Sequence, residues 1–161
     1  SLLEKGLITW RTLSTQKGRL KILVLTDEGK KAIPDVRIEK VFYKRAGWEH
    51  EYWKQKVGEY YRKRGYEVFY EYRLDGGKSV DILVEKNGKR TAVEIETGKS
   101  DAVYNIRKAL EAGFDEVVVI AIDKKVKREL DEIVAKNPDL MRAKKVKVLD
   151  TGFLNNKSKI N

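Results

Sequence analysis

The feature that most restricts how this chain can fold is an Asn-Gly pair, Asn87-Gly88, set between the apolar runs "VDILVEK" and "KRTAVEIE". Asn-Gly is the strongest short-range signal for a type I′ hairpin turn, because both central residues must take positive φ. With that turn Lys86 pairs with Lys89, residue 81 faces residue 94, and the register follows. Asp81 and Glu94 are therefore expected directly across the ladder, their Cβ atoms roughly 4.5–5.5 Å apart, with Glu96 on the same side. Val80, Ile82, Val84, Val93 and Ile95 take the other side. Two ionised acids facing each other destabilise a sheet, unless water, a divalent cation or a retained proton relieves them. Leu83 and Ala92 share the acidic face, and both strands are nearly continuous apolar runs, the pattern of a sheet covered on both faces. That favours a metal site over a solvated acidic face.

Composition narrows the choice of metal. Among 161 residues there is no cysteine and one histidine, His50. Thiolate sites are excluded, and oxygen ligands favour magnesium, manganese or calcium. The net charge of +10 suits a polyanion such as nucleic acid, although a thermophile's Lys/Glu-rich surface has the same composition. Residues 1–46 hold 11 Lys/Arg against 5 Asp/Glu, so most of the excess lies there. Without a long apolar run or a signal-peptide pattern, the expectation is a soluble cytoplasmic protein with no membrane contact.

"WEHEYWKQKVGEYYRKRG" reads as a helix closed by Gly65. With Trp48 at zero, Tyr52, Tyr60, Trp53, Val57 and Tyr61 fall at about 40, 120, 140, 180 and 220°. Glu49, at about 100°, points into that arc, His50 lies near its edge, and Glu51, at about 300°, faces solvent. A carboxylate aimed inward needs a charged partner, which makes Glu49 a site candidate. The alternative is a first-turn glutamate favoured by the helix dipole. His50 is either an accessory site residue or a hydrogen-bonded boundary histidine.

"YEVFYEYRL" reads as a strand and "DGGKS" as a turn before the hairpin. After it, "TGKS" invites a phosphate-loop reading, but that motif needs glycine five positions before Gly98, where Val93 stands. Ser100 is instead expected to cap the helix "DAVYNIRKALEAG", whose first amides, with Lys99, could hold a phosphate beside the acids. Strand "EVVVIAI", helix "KKVKRELDEIVAK" ended by Pro138, and strand "KVKVLD" complete the order αβββαβαβ.

Ahead of this, "SLLEKG" reads as a helix end closed by Gly6. A strand over 7–13, a turn at "STQKG", a strand "RLKILVL" and a short helix started by Thr26 follow. This run resembles the second half of a winged helix-turn-helix, which implies a fragment whose earlier helices lie elsewhere. The alternative is a basic hairpin packed on the main domain. The expected division is a partial winged helix over 1–35, a connector over 36–46, a main domain over 47–154 and a flexible tail over 155–161.

From Trp48 onward, the element order with Glu49, Asp81 and "VEIETG" resembles the PD-(D/E)XK nuclease superfamily, which includes archaeal Holliday junction resolvases. The resemblance implies an α/β fold, a restriction-endonuclease-like αβββαβ core with a mixed central sheet flanked by helices. It also implies magnesium (or manganese) at Asp81 and Glu94, with Glu49 in support, and phosphodiester hydrolysis in DNA. Glu96 stands where that family usually has lysine, so Glu96 would act as ligand or base and Lys99 would supply the cation. Lys17, Arg19 and Lys21 of the basic wing, with Lys99 and Ser100, would grip DNA phosphates. Junction-cleaving relatives work as homodimers. "GWEHEYW" and "VEIETGKSDAVYNI" also look like domains attached to archaeal ATPases and mobile-element proteins. The alternative function is accordingly an inactive nuclease-fold domain that binds DNA or docks on an ATPase domain or subunit.

Overall fold

The computed structural model describes residues 1–33 and 47–155. The expected connector, 36–46, and nearly all of the expected tail lie outside the described residues. Strands β1 (Ile8–Thr15) and β2 (Gly18–Leu25) form an antiparallel hairpin, followed by α1 (Asp27–Lys31). Then come α2 (Trp48–Arg62), β3 (Glu67–Arg73), β4 (Ser79–Lys86), β5 (Lys89–Glu96), α3 (Ala102–Glu111) and β6 (Glu116–Ala121). Helices α4 (Lys124–Lys136) and α5 (Pro138–Arg142) and strand β7 (Val146–Asp150) complete the elements. Helix α5 is the one α-helix among the described residues that the sequence pattern missed. Pro138 cannot continue α4, but at a first helical position its missing N–H is no loss.

Five strands make one mixed sheet in the order β3-β4-β5-β6-β7. The first three are antiparallel, joined by short turns, while β5, β6 and β7 run parallel and need the crossovers that α3 and α4 provide. Two right-handed crossovers taken in one direction place both helices on the same face. Helix α2 packs on β3, β4 and β5. Every residue from Thr91 to Glu96 is buried, so both faces of β5 are covered, as its apolar run implies. No helix among the described residues is long and apolar enough to cross a membrane.

The β4–β5 register follows from the turn. Asn87 and Gly88 take φ of 52° and 75°, Lys86 pairs with Lys89, and Ile82 pairs with Val93. The paired ladder stops there, so Asp81 and Glu94 are not the ladder pair that the register alone implies. Instead the Ile95 N–H donates to Asp81 Oδ2 at 2.8 Å, a side chain taking the place of a strand carbonyl. The β3–β4 ladder skips the same level: Tyr70 pairs with Ile82 and Tyr72 with Val80, while Glu71 between them takes φ of 48°. Left-handed backbone at a non-glycine inside a strand is rare, and such departures gather at functional sites.

At the N-terminus, residues 2–6 are turns rather than the expected helix end, with Gly6 at φ of 66°. Thr26 caps α1 by accepting from the Gly29 N–H at 3.0 Å, and its hydroxyl donates to the Gly6 carbonyl at 2.6 Å. The hairpin rests on α2. Leu13 is buried in the main core, Glu49 Oε1 accepts from the Ser14 N–H at 2.6 Å, and the Trp53 indole N–H donates to the Ser14 carbonyl at 3.2 Å.

Candidate active site

Helix α2 is rotated from the setting its apolar residues suggest. Its buried residues are Glu51, Trp53, Lys54, Val57, Gly58, Tyr60 and Tyr61, an arc centred near 200° on the wheel above. Gly58 makes the rotation feasible, since a Cβ there would lie 2.0 Å from the Tyr70 hydroxyl oxygen. Charge pairing makes it tolerable: Lys54 Nζ stands 2.6 Å from Glu51 Oε1 and also pairs with Glu71. The expectation for this helix is thereby corrected at two residues. Glu49 turns to the Ser14 amide instead of the acidic cluster, and Glu51 is buried rather than solvent-facing.

The rotation brings His50 to the sheet, where Nε2 lies 3.0 Å from Asp81 Oδ2. Its Nδ1 is 3.8 Å from Glu51 Oε1, beyond hydrogen-bond length. Burial alone would make the imidazole less basic, but its bond to Asp81, the nearby Glu51 carboxylate and the Asp81 charge raise its pKa to about 9. Asp81 is opposed by burial too, yet the His50 bond and charge and the Ile95 N–H hold it below the usual carboxylate range.

Glu94 and Glu96 are 2% and 1% exposed, so the solvated-face alternative is gone for these two acids. Glu96 accepts from the Asn105 side-chain N–H at 3.0 Å and from the Ser100 hydroxyl. Ser100 is therefore bound to Glu96, while the cap of α3 is Asp101, whose Oδ1 accepts from the Tyr104 N–H at 3.0 Å. Glu94 is met by a residue the sequence pattern passed over. Lys108 Nζ lies 3.0 Å from Glu94 Oε1 and donates to Asn105 Oδ1 at 3.1 Å. The Glu94 contact is an ion pair without hydrogen-bond alignment, which leaves Oε1 buried with no directed donor. Burial, and next the Asp81 charge, push the Glu94 carboxyl up to about 8 despite Lys108.

These groups open on a cavity of about 1090 Å³. Its lining brings together His50, Asp81, Glu94, Lys99, Ser100 and Lys108, with Arg73 and Lys78 as further cations. Lys17, Arg19 and Lys21 are exposed on the hairpin and do not line it. Among the described residues no three His, Cys, Asp or Glu side chains gather closely enough to cage a metal ion. Asp81 and Glu94 do fit magnesium, which usually takes one or two carboxylates and completes its shell with water and substrate phosphate. The buried, incompletely satisfied Glu94 oxygen is the donor such an ion would relieve.

The raised acid has a consequence for stability. A carboxyl whose ordinary value is 4.5 and whose folded value is about 8 retains a proton that the unfolded chain releases. Its contribution is complete below 4.5 and is lost as pH rises through about 8. His50, raised from 6.5 to about 9, adds a loss in the same direction, while lowered Asp81 matters only as pH falls through acid values. Urea unfolding followed by tryptophan fluorescence is expected to show stability falling from about pH 6 to 9, by up to roughly 1.4 kcal/mol per unit for each group. Glu94→Gln should flatten part of that slope and raise stability at the alkaline end. An unchanged slope would mean that Glu94 is ionised throughout.

No family model matches the chain, and no curated protein matches its sequence. Among solved structures it is similar to a crystal structure described as a protein of unknown function, AF1548, at 13% identity and a TM-score of 0.43. The match covers 63% of this chain and 59% of that one, so the chain spans about three fifths of that protein's length. A likeness of this degree carries no functional inference.

Proposed function

We propose that this chain is a metal-dependent nuclease-like domain that hydrolyses phosphodiester bonds in DNA on a restriction-endonuclease-like core. The observation that carries the proposal is the half-buried Asp81 beside the buried Glu94, with Lys108 against Glu94, opening on a cavity lined in part by cations. Helix α2, the antiparallel β3–β4–β5 meander, α3 and the parallel β6 supply the element order that such a core needs. In this assignment Asp81 and Glu94 hold magnesium or manganese, and Lys108 takes the cation role that Glu96 cannot fill. When bound, the ion supplies Lewis-acid neutralisation of the phosphate charge.

The chain's own residues do the rest. Glu96, fixed by Ser100 and Asn105, ties the turn after β5 to α3. Lys99, in the cavity lining, then stands ready for the phosphate, together with Arg73 and Lys78. Lys17, Arg19 and Lys21 would contact backbone phosphates farther along the DNA, which orients it without choosing bases.

One observation favours a reading without chemistry, as a DNA-binding or docking domain of a larger archaeal ATPase or mobile-element protein. His50 already engages Asp81 Oδ2, so an imidazolium stands where a cation would be needed. Calorimetric titration of magnesium and manganese into wild type, Glu94→Gln and His50→Ala separates the two. The nuclease proposal expects binding heat in wild type that is lost in Glu94→Gln. Heat that emerges only in His50→Ala would instead mark a site whose metal has been replaced by histidine.

A further inference from the structure

A second cavity, of about 620 Å³, lies between the tip of the β1–β2 hairpin, α2 and the turn after β7. It shares no lining residue with the acidic cavity. On the α2 wheel, Tyr52, Lys56 and the C-cap residue Lys63 fall at about 40, 80 and 60°, nearly opposite His50, Lys54 and Glu51 at about 200, 240 and 300°. The helix therefore separates the two sites, the first of which balances four carboxylates with four Lys/Arg side chains. The second is lined by Lys17, Lys56, Lys63 and Arg64 against one acid, Glu59. Glu59 pairs with Lys56 at 3.4 Å, and neither Lys17 nor Lys63 has an ion-pair partner among the described residues.

Two further details point to what would occupy it. The Arg64 guanidinium stacks 3.5 Å above the Tyr60 ring centre, a flat cationic surface of the kind on which bases stack. Gln16, in the two-residue hairpin turn, lines the cavity with an amide whose nitrogen and oxygen are both shut from solvent without a hydrogen-bond partner among the described residues. An amide with its donor and acceptor unused is a destabilising element, and it matches the edge of a nucleobase, which offers both.

We propose that this groove is a binding site for an unpaired nucleic-acid strand, separate from the acidic cavity. Lys17 and Lys63 take successive phosphates, Arg64 offers its face to a base, and Gln16 turns toward the cavity to pair with a base edge. Stacking accepts any base, so the site favours single strands over duplex with little sequence preference.

The test is fluorescence anisotropy with a labelled oligothymidylate of about 12 nucleotides, within the usual span for single-strand sites. Metal-free buffer keeps the outcome independent of whether the acidic cavity cuts. Lys17→Glu/Lys63→Glu is expected to weaken binding at least tenfold and to reduce the salt slope by about 1.4, two phosphates' worth. The control Lys125→Glu/Lys136→Glu makes the same charge change on α4, at side chains each 78% exposed, and should bind more nearly as wild type does. Gln16→Ala should weaken binding with no fall in melting temperature, which an amide serving only the fold would not do. Equal losses in both double variants would reduce the site to general charge and overturn the proposal. So would displacement of the oligonucleotide by oligoglutamate at lower concentration than by unlabelled strand, which would assign the groove to an acidic peptide.

Discussion

Asp81→Asn is expected to lower metal-dependent DNA cleavage on the order of 10³-fold, with DNA affinity nearly unchanged. A metal ion contributes several kcal/mol of charge stabilisation in phosphoryl chemistry, and each 1.36 kcal/mol is about tenfold in rate. Asparagine keeps the shape of aspartate and an oxygen for the Ile95 N–H, so β5 retains its anchor. What it loses is the charge that would hold the ion. The measurement is single-turnover cleavage of branched and linear DNA beside anisotropy, with melting temperature as the check on folding. Cleavage by Asp81→Asn at the wild-type rate would remove Asp81 from the chemistry. If affinity falls with cleavage, the acidic cavity binds a partner instead of cutting DNA.

Lys54→Met is expected to destabilise the fold by about 3–5 kcal/mol, the range for removing one partner of a buried ion pair. Lys54 is 2% exposed, and its ammonium lies 2.6 Å from Glu51 Oε1. Methionine fills the space but leaves Glu51 buried with only His50 nearby. The half-exposed Glu71 adds little, because water screens it. Glu51 is held below the usual carboxylate range by His50 and Lys54 against the opposing effect of burial, so its contribution is present above its ordinary value of 4.5 and lost as pH falls. The deficit of Lys54→Met should therefore shrink in acid, where a neutral Glu51 no longer needs a cation. Adding Glu51→Gln should recover most of the loss, a coupling that a double-mutant cycle in urea reads directly. A loss below about 1 kcal/mol would mean that the pair behaves as a surface salt bridge.

The sheet was legible because its signals are local. Asn87-Gly88 set the β4–β5 register, and the apolar runs of β4 and β5 announced a sheet covered on both faces. Helix α2 was legible in extent but not in rotation. Periodicity ranks residues by hydrophobicity, whereas the helix settled where Gly58 admits Tyr70 and where Lys54 finds Glu51 and Glu71. Those are tertiary pairings, and they exchanged the roles expected of Glu49 and Glu51. Lys108 could have been found. On the wheel of α3 it lies about 60° beyond Asn105, at the margin of the stripe formed by Ala102, Ile106 and Ala109. The acidic run points to Lys99 in the adjoining turn as its cation, whereas Lys108, two helical turns into α3, is the lysine that lies 3.0 Å from Glu94 Oε1.

Ser14 is gripped at both its N–H and its carbonyl by side chains of α2, Glu49 and Trp53. The hairpin consequently cannot pivot on that helix without breaking two bonds at once, and the residue after Glu49 is the histidine that engages Asp81. Strand tip and acid cavity are thus mounted on one lever. Whatever free energy a ligand on the hairpin gains from shifting α2 must return as an equal change in the affinity of the cavity for its own ligand.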